Sequence, residues 1–511
     1  MSAIVSTPFR VVNAENFKED IAGSSVYVGI GKSDVWSTNT SNLVDAATPF
    51  TPQDRLDDLH EAYQNMIGMK KIASSDVAHI VPRYTWSADQ TYHAWDSDDS
   101  AIYDKKFYII TSEFKVYKCI FSPGTNSTSE PVHINTDPTA EGDGYIWKYM
   151  YTVTVTDAEK FLTTSYMPVT SQFIPVTATV NGAVSNSTSV TLDAGENNEF
   201  IKVGQLVAGS GISTEITVAA ISGNSLTLSA NASIADGVTL TFGRLADTDV
   251  NYANQTAQIN SKASSTAAGI ERIEVSAGGG DYSAKPTVTI TGDGSGATVA
   301  SGNITMSGSG STQSVASITL NNKGTDYTVA DITFSTGSAV ANATIAPSLG
   351  HGVDPVAELG GFFVGVNTQL SGSGGAGADL TTGNDFRQIA LVKNPTNSGG
   401  TTISTASTLQ AMDYLDLQAA ASSYTIDELI TGGTSGAKAY VVRIDGSKIY
   451  YTQNSKTGYG TFANNEAING GTSGQSVSSK TSNAVVSGEV NRGSGEILFL
   501  ENRNPINRTA T

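Results

Sequence analysis

From about Val176 to Ile345, apolar residues alternate with small polar ones in short runs broken by Gly, Asn and Asp. "STSVTLDAG", "NSLTLSA" and "GVTLTFGRL" show the pattern. A period of two between turn residues describes strands, so this stretch is expected to be all-β. It also repeats itself. "IEVSAGGGDYSAKPTVTITGDGSGATVA" begins at Ile273 and "ITLNNKGTDYTVADITFSTGSAVANA" at Ile318, with Tyr282 and Tyr327 at matching offsets. A module of about 45 residues is thus used twice. A second pair follows, in which "ITGGTSGAKAYVV" from Ile430 and "INGGTSGQSVS" from Ile468 share a Gly-Gly-Thr-Ser-Gly turn.

Composition changes near Pro175: Trp36, Trp86, Trp95 and Trp147 all precede it. Asn13 is expected to cap a short helix carrying Phe17 and Ile21. In "TPQDRLDDLHEAYQNMIGM" Thr51 is the expected N-cap, Pro52 lies in the first turn, and Leu56, Leu59, Tyr63 and Met66 recur at helical spacing. Thr156 and Glu159 fit a capping box for a third helix. "SVYVGIG" and "KKFYIITSEFKVYKCIF" read as strands. In "EGDGYIWKYMY" the large residues Tyr145, Trp147, Tyr149, Tyr151, Val153 and Val155 alternate with Lys148, Met150, Thr152 and Thr154, which predicts a half-buried strand.

The fold class expected is a β-rich α+β, multidomain protein: a mixed N-terminal region plus inserted all-β modules, sandwich or barrel-like. The expected layout is an α+β core over 1–175, an inserted repeat-bearing region over 176–350 and a return to the core over 351–411. A second inserted β module covers 412–487, and 488–511 forms a C-terminal core strand and tail. The Gly-rich 371–385 stretch reads equally as a flexible linker or a long ordered loop.

At 511 residues the chain exceeds what one core supports. It carries 29 Lys and Arg against 48 Asp and Glu, a net charge of −19, with no basic stripe. Nucleic acid and anionic membranes are therefore not expected partners. Cys119 is the single cysteine, so neither an intrachain disulfide nor a Cys-based zinc site is available. The N-terminus lacks a basic start and apolar core, and no apolar run reaches about 18 residues, so a chain made in a cytosol is expected.

Candidate chemistry is sparse. His60, His79, His93, His133 and His351 form no H-x-x-x-H or H-x-H pair. "GIGKS" at Gly29 to Ser33 lacks the earlier glycine of a phosphate loop. The acids of "WDSDDS" (Asp96, Asp98, Asp99) lack the Gly and Glu of a calcium loop, because Ala101 and Phe107 stand there. "GDGSGA" at Gly292 to Ala297 resembles one piece of a calcium-binding nonapeptide without tandem recurrence. Glu141 and Asp143 invite comparison with a glycoside-hydrolysing carboxylate pair. Gly142 and Gly144 account for them more simply as a tight turn with the acids facing water. The expectation is no catalytic, cofactor-binding or metal-binding residues, and no cofactor.

Several segments, in order, resemble the baseplate wedge subunit of contractile-tailed, T-even-like phages. They are "STPFR", "VYVGIGKSDVWS", "MIGMKKI", "HIVPRYTW", "VYKC", "DGYIWKYMY", "DFRQIALVKNP" and "GEILFLENRNPI". The resemblance covers roughly residues 6 to 175, 355 to 395 and 488 to 508. It implies a structural virion protein of the tail baseplate, assembled in the host cytoplasm. It further implies a homodimer that contacts neighbouring wedge proteins and has no enzymatic activity. The alternatives are a tail-associated glycan-degrading enzyme using Glu141 or Asp143, or a glycan-binding adhesin. Contact of the inserted modules with host glycans is a further expectation.

Overall fold

The computed structural model describes residues 4–36, 49–135, 137–169, 176–195, 198, 201, 203–212, 216–242, 269–348, 350–369 and 385–506. Nearly all of the Gly-rich 371–385 stretch lies outside them. The chain divides into two compact units, each discontinuous in sequence. One comprises Met1–Ala14 and Ala78–Gly365, the other Glu15–Val77 and Val366–Thr511.

In the first unit an antiparallel sheet orders its strands Tyr108–Ile110, Lys115–Phe121, Ile146–Thr152 and Thr139–Ala140. Tyr145, Trp147 and Tyr149 pack with Tyr92, Ile109, Tyr117 and Cys119. Met150, Tyr151 and Val153 belong to a different cluster, with Val81, Phe107 and Leu359. The expected half-buried strand is therefore buried on both faces, Lys148 included. The alternation also breaks. Val116 pairs with Tyr151 but Tyr117 with Tyr149, so a bulge at Met150 moves Tyr151 out of the cluster that holds Tyr149.

The strand ends at Thr152, and Val155, 70% exposed, opens the helix Val155–Phe161. Its N-cap is Thr154, whose hydroxyl accepts from the Asp157 amide at 3.1 Å. The cap thus sits two residues before the expected Thr156. Asn13 is no cap either, because the helix Thr7–Gly23 begins well before it. In the second unit Leu56–Asn65 starts after Arg55 rather than Thr51, Leu56 is 67% exposed, and Met66 already belongs to the strand Met66–Lys71.

A three-stranded sheet of Phe363–Val366, Val77–Pro82 and Tyr166–Val169 and two larger sheets lie mainly in the first unit. Strands between Val176 and Phe242 form a six-stranded antiparallel sheet around Val190, Leu226, Leu240 and Phe242. Its end strands meet through the Val180 to Leu192 bridge, which closes the sheet into a barrel-like form. Strands between Ile270 and Ile345 form a second six-stranded sheet with an added two-stranded ribbon. Here the duplication becomes a local two-fold. Ile273 and Ile318, the first residues of the two copies, pair with each other. Tyr282 of the first copy covers Gly337 of the second and accepts the Ala339 amide at 3.0 Å. Tyr327 of the second covers Gly292 and Gly294 of the first and accepts the Ala297 amide at 3.4 Å.

The second unit holds a five-stranded antiparallel sheet in the order Thr408–Gln410, Met66–Lys71, Val26–Gly31, Phe386–Lys393 and Glu496–Ile506. A seven-stranded sheet spans Asp413 to Val486 around Leu415, Ile430, Val441, Ile449 and Ile468.

The exchanged tyrosines give a direct test. A Cβ on Gly337 would lie 2.2 Å from the Tyr282 ring, whereas one on Gly310 meets nothing, and both positions have positive φ. Gly337→Ala is expected to destabilise the first unit by about 2 kcal/mol more than Gly310→Ala, read as the difference in thermal midpoints.

Candidate functional site

Beneath the repeat module the first unit buries a cluster of charges. Lys118 sits in the apolar strand Lys115–Phe121 and is fully buried. Its ammonium lies 2.7 Å from Glu358 Oε2 and 4.2 Å from the centre of the Trp95 ring. Glu358 belongs to the short helix Pro355–Leu359, and its Oε1 accepts from the amides of Gly352, Val353 and Asp354 at 2.8, 3.0 and 3.2 Å. His351 stands 3.4 Å from Glu271 and edge-on to Trp95. Lys323 reaches Glu271 at 2.6 Å.

Burial dominates the protonation of this cluster. It pushes the pKa of Lys118 down, against the pull of Glu358, and lowers Lys148 to about 8. It also lowers His351, with Lys118 adding to the effect. At Glu271 burial opposes ionisation, but the neighbouring His351 and Lys323 outweigh it and lower the group to about 2. The Lys118–Glu358 pair at its centre is buried, and only Lys323 at its edge reaches solvent, so the centre offers no entry for a substrate. What it does is join elements. Arg272 carries this further, donating to the Trp95 carbonyl at 2.5 Å and standing 3.5 Å from Asp96, while the Ile345 amide donates to Ser97 Oγ at 3.0 Å. The repeat module is thereby fixed to the aromatic sheet by charged and polar groups rather than by apolar packing alone.

The acids singled out in sequence also have structural employment. Asp143 Oδ2 accepts from Ser127 Oγ and the Thr128 and Ser129 amides at 2.8, 2.8 and 3.1 Å, and Oδ1 from the Tyr145 amide at 3.2 Å. Burial disfavours its charge, yet these bonds win and its pKa falls. Glu141 moves the other way, raised by burial and by the charge of Asp143. Both are half-buried, so the expectation that they face water is corrected: Asp143 anchors the Ser127–Ser129 loop. In "WDSDDS", Asp96 faces Arg272 and Asp99 pairs with Lys105 at 2.5 Å. Asp293 of "GDGSGA" accepts from the Thr328 and Val329 amides, as a strand-connecting turn would. Lys32 of "GIGKS" pairs with Asp34 at 2.7 Å. His79 meets the Gly361 carbonyl at 2.8 Å, and Cys119 is buried, which raises its pKa. Among the described residues no group of three His, Cys, Asp or Glu is arranged to hold a metal ion.

The second repeat pair contains two further acids that sequence reading missed. Glu466 accepts from the Thr434 and Ser435 amides at 2.9 and 2.8 Å, and Glu428 from the Thr472 and Ser473 amides, both at 2.9 Å. Each glutamate therefore holds the Gly-Gly-Thr-Ser-Gly turn of the other copy. Thr431 and Asn469 pair on the local two-fold. The signal was available: Glu precedes Ile430 and Ile468 by the same two positions.

Residues 3–133 match the family model described as Bacteriophage T4, Gp8. The chain is also similar to the baseplate wedge protein gp8 of Enterobacteria phage T4, at 24% identity over 188 residues, covering 30% of this chain. It spans 55% of that relative's length. Both matches bear out the resemblance to the T-even-like wedge subunit, and the family-model match, over residues 3–133, precedes both repeat pairs.

Lys118→Met leaves Glu358 charged and buried. It is expected to cost about 3–5 kcal/mol by denaturant unfolding, with Lys118→Met/Glu358→Gln less severe than the sum of the single changes. The turn glutamates set a pH dependence. Burial raises their pKa, but the amide and hydroxyl bonds outweigh it and hold Glu428 and Glu466 below the ordinary 4.5. Their contribution is complete above that value and is lost as pH falls through the lower folded pKa. Glu466→Gln is expected to lower stability at pH 7 by about 1–3 kcal/mol. The difference from wild type should shrink below pH 4.5 in parallel urea titrations.

Proposed function

We propose that this chain is a structural component of a phage tail baseplate wedge, acting in baseplate assembly through protein contacts. The observation that carries the reading is the agreement of two comparisons, a family model over residues 3–133 and a baseplate wedge relative, on the same phage T4 protein. The chemistry of the molecule supports it. Glu141 and Asp143, the acids that invited an enzymatic reading, hold and border a loop, and the Lys118–Glu358 pair at the centre of the charge cluster is closed to solvent. On this reading the protein has no catalytic role and resides in the virion tail.

The same reading extends to organisation. Residues 176–350 and 412–487 are modules inserted into a wedge-subunit core, and the core contributes the contacts to neighbouring wedge proteins. The subunit is a homodimer. Light scattering of the purified chain tests the last point, with a mass near twice the 53.1 kDa monomer expected across a dilution series. The structural role predicts that Glu141→Gln changes neither assembly into wedge complexes nor host polysaccharide. Reducing-end release by wild type that disappears in the variant would replace this reading with a glycan-degrading one.

A further inference from the structure

The buried pair at the centre of the first unit has the parts of a bond-forming site. Lys118 Nζ lies 2.7 Å from Glu358 Oε2, with the side chains 0% and 4% exposed, so the carboxyl carbon stands one C–O bond beyond the nitrogen's contact. That approaches the separation of about 3–3.5 Å at which reacting atoms sit before attack. An amine and a carboxyl group condense only when both are uncharged, and burial favours the uncharged form of each. It already pushes the Lys118 pKa down. An amide would also end the cost of keeping two charges out of water.

The surroundings supply what the condensation needs. Glu358 Oε1 accepts from the amides of Gly352, Val353 and Asp354 at 2.8, 3.0 and 3.2 Å, donors that would hold the negative charge as nitrogen adds to the carboxyl carbon. His351 is 5% exposed, its Nδ1 lies 3.9 Å from Glu358 Oε2, and neither ring nitrogen makes a hydrogen bond within the protein. A buried, unpaired imidazole is costly as a structural residue. Burial and the Lys118 charge lower its pKa, which leaves the neutral ring able to take one proton and pass on another. Trp95 lies over the ammonium at 4.2 Å and edge-on to His351, which keeps out the water that would reverse the reaction. The Lys32–Asp34 pair is equally short, with side chains 4% and 7% exposed, but the second Asp34 oxygen accepts nothing and Lys456 shares the first. Closeness and burial alone therefore do not distinguish the Lys118 pair; the three amides and the unpaired imidazole do.

We propose that Lys118 and Glu358 are joined by an isopeptide bond that the folded chain forms by itself. The ammonium passes a proton to Oε2 along the 2.7 Å contact, leaving a neutral amine and a carboxylic acid. The Nζ lone pair bonds to the carboxyl carbon, and the C=O π pair moves onto Oε1 among the three amides. His351 takes a second proton from the nitrogen and delivers one to the Oε2 hydroxyl. The C–Oε2 bond breaks, that oxygen departs with both protons as water, the C=O bond to Oε1 re-forms, and the nitrogen keeps its remaining hydrogen. No oxidant, reductant or outside group is consumed. The product ties the strand Lys115–Phe121 to a segment 240 residues away, just past the repeat module. The inference does not rest on the wedge reading, because it follows from the pair and its neighbours alone.

Mass spectrometry of the purified, then unfolded, full chain tests it. The wild-type mass is expected to fall one water below the sequence mass, and a tryptic digest should contain a branched peptide joining Lys118 to Glu358. Lys118→Arg keeps the positive charge, removes the nucleophile and should restore the full mass. His351→Gln, followed from a short pulse of synthesis, should link at least about tenfold more slowly than wild type. Linking at the wild-type rate would overturn the part given to His351. Where Lys118→Arg fails to fold, the wild-type mass and the branched peptide decide the matter. A folded wild-type chain at its full sequence mass overturns the proposal. So does a lost water that maps elsewhere, such as to a succinimide at Asp143-Gly144.

Discussion

A charged lysine ammonium is costly to place fully out of water without a fixed partner, and Lys118 imposes that condition on the first unit. Its ammonium is satisfied by Glu358, Glu358 is satisfied in turn by three consecutive amides before its helix, and Trp95 covers the pair. Lys118, Trp95 and the 352–358 segment that carries Glu358 and its amide donors come from three different stretches of chain. The pair is therefore worth little as a source of stability relative to an apolar core, but it is demanding in geometry, because a shifted partner would leave a bare charge. His351 and Glu271 extend the requirement into the repeat module. The aromatic sheet and the duplicated sheet must be registered to each other before the charges can be buried at all.

The two repeat pairs solve a related problem in a different way. Glycine-rich turns give strands little side-chain surface to pack, and their amides need acceptors. In one pair a tyrosine ring covers the other copy's glycines and its hydroxyl takes an amide. In the other a glutamate takes two successive turn amides. Both devices cross the local two-fold, so neither copy closes its own turn. The small polar composition after Val176 is thus compatible with ordered sheets because specific residues compensate for what the glycines lack.

How much of this was legible depended on the range of the interaction. Strand alternation around Tyr145 to Tyr149 and the two duplications were visible, because they are local or periodic. The bulge at Met150 was not, since it arises from register with Lys115–Phe121. Helix starts were misplaced by a few residues: Thr154 and Thr156 are equally good caps in sequence, and the end of the preceding strand selects Thr154. Lys118 looked like an ordinary residue of an apolar strand, and its partner lies 240 residues away. Glu428 and Glu466 were within reach, because a residue repeated at the same offset from a repeated turn has a repeated task. Asp143 was read as a turn residue, which it is, but its anchoring of a neighbouring loop required the folded chain.

The exchanged glutamates say something about history. Each carboxylate takes one amide of its own copy, from Thr425 or Ala463, and two from the other copy's turn, so a solitary copy would leave most of its bonds unmade, whereas two identical separate chains would satisfy each other across a symmetric contact. The arrangement is that of a symmetric pair sealed into one polypeptide. Fusion replaces an encounter that depends on how much protein is present with one fixed by a short connection, at high effective concentration. It also frees the two halves to diverge, as they have: Tyr424 in one stands where Phe462 stands in the other, and only the tyrosine hydroxyl reaches across, to the Ile468 carbonyl at 2.5 Å.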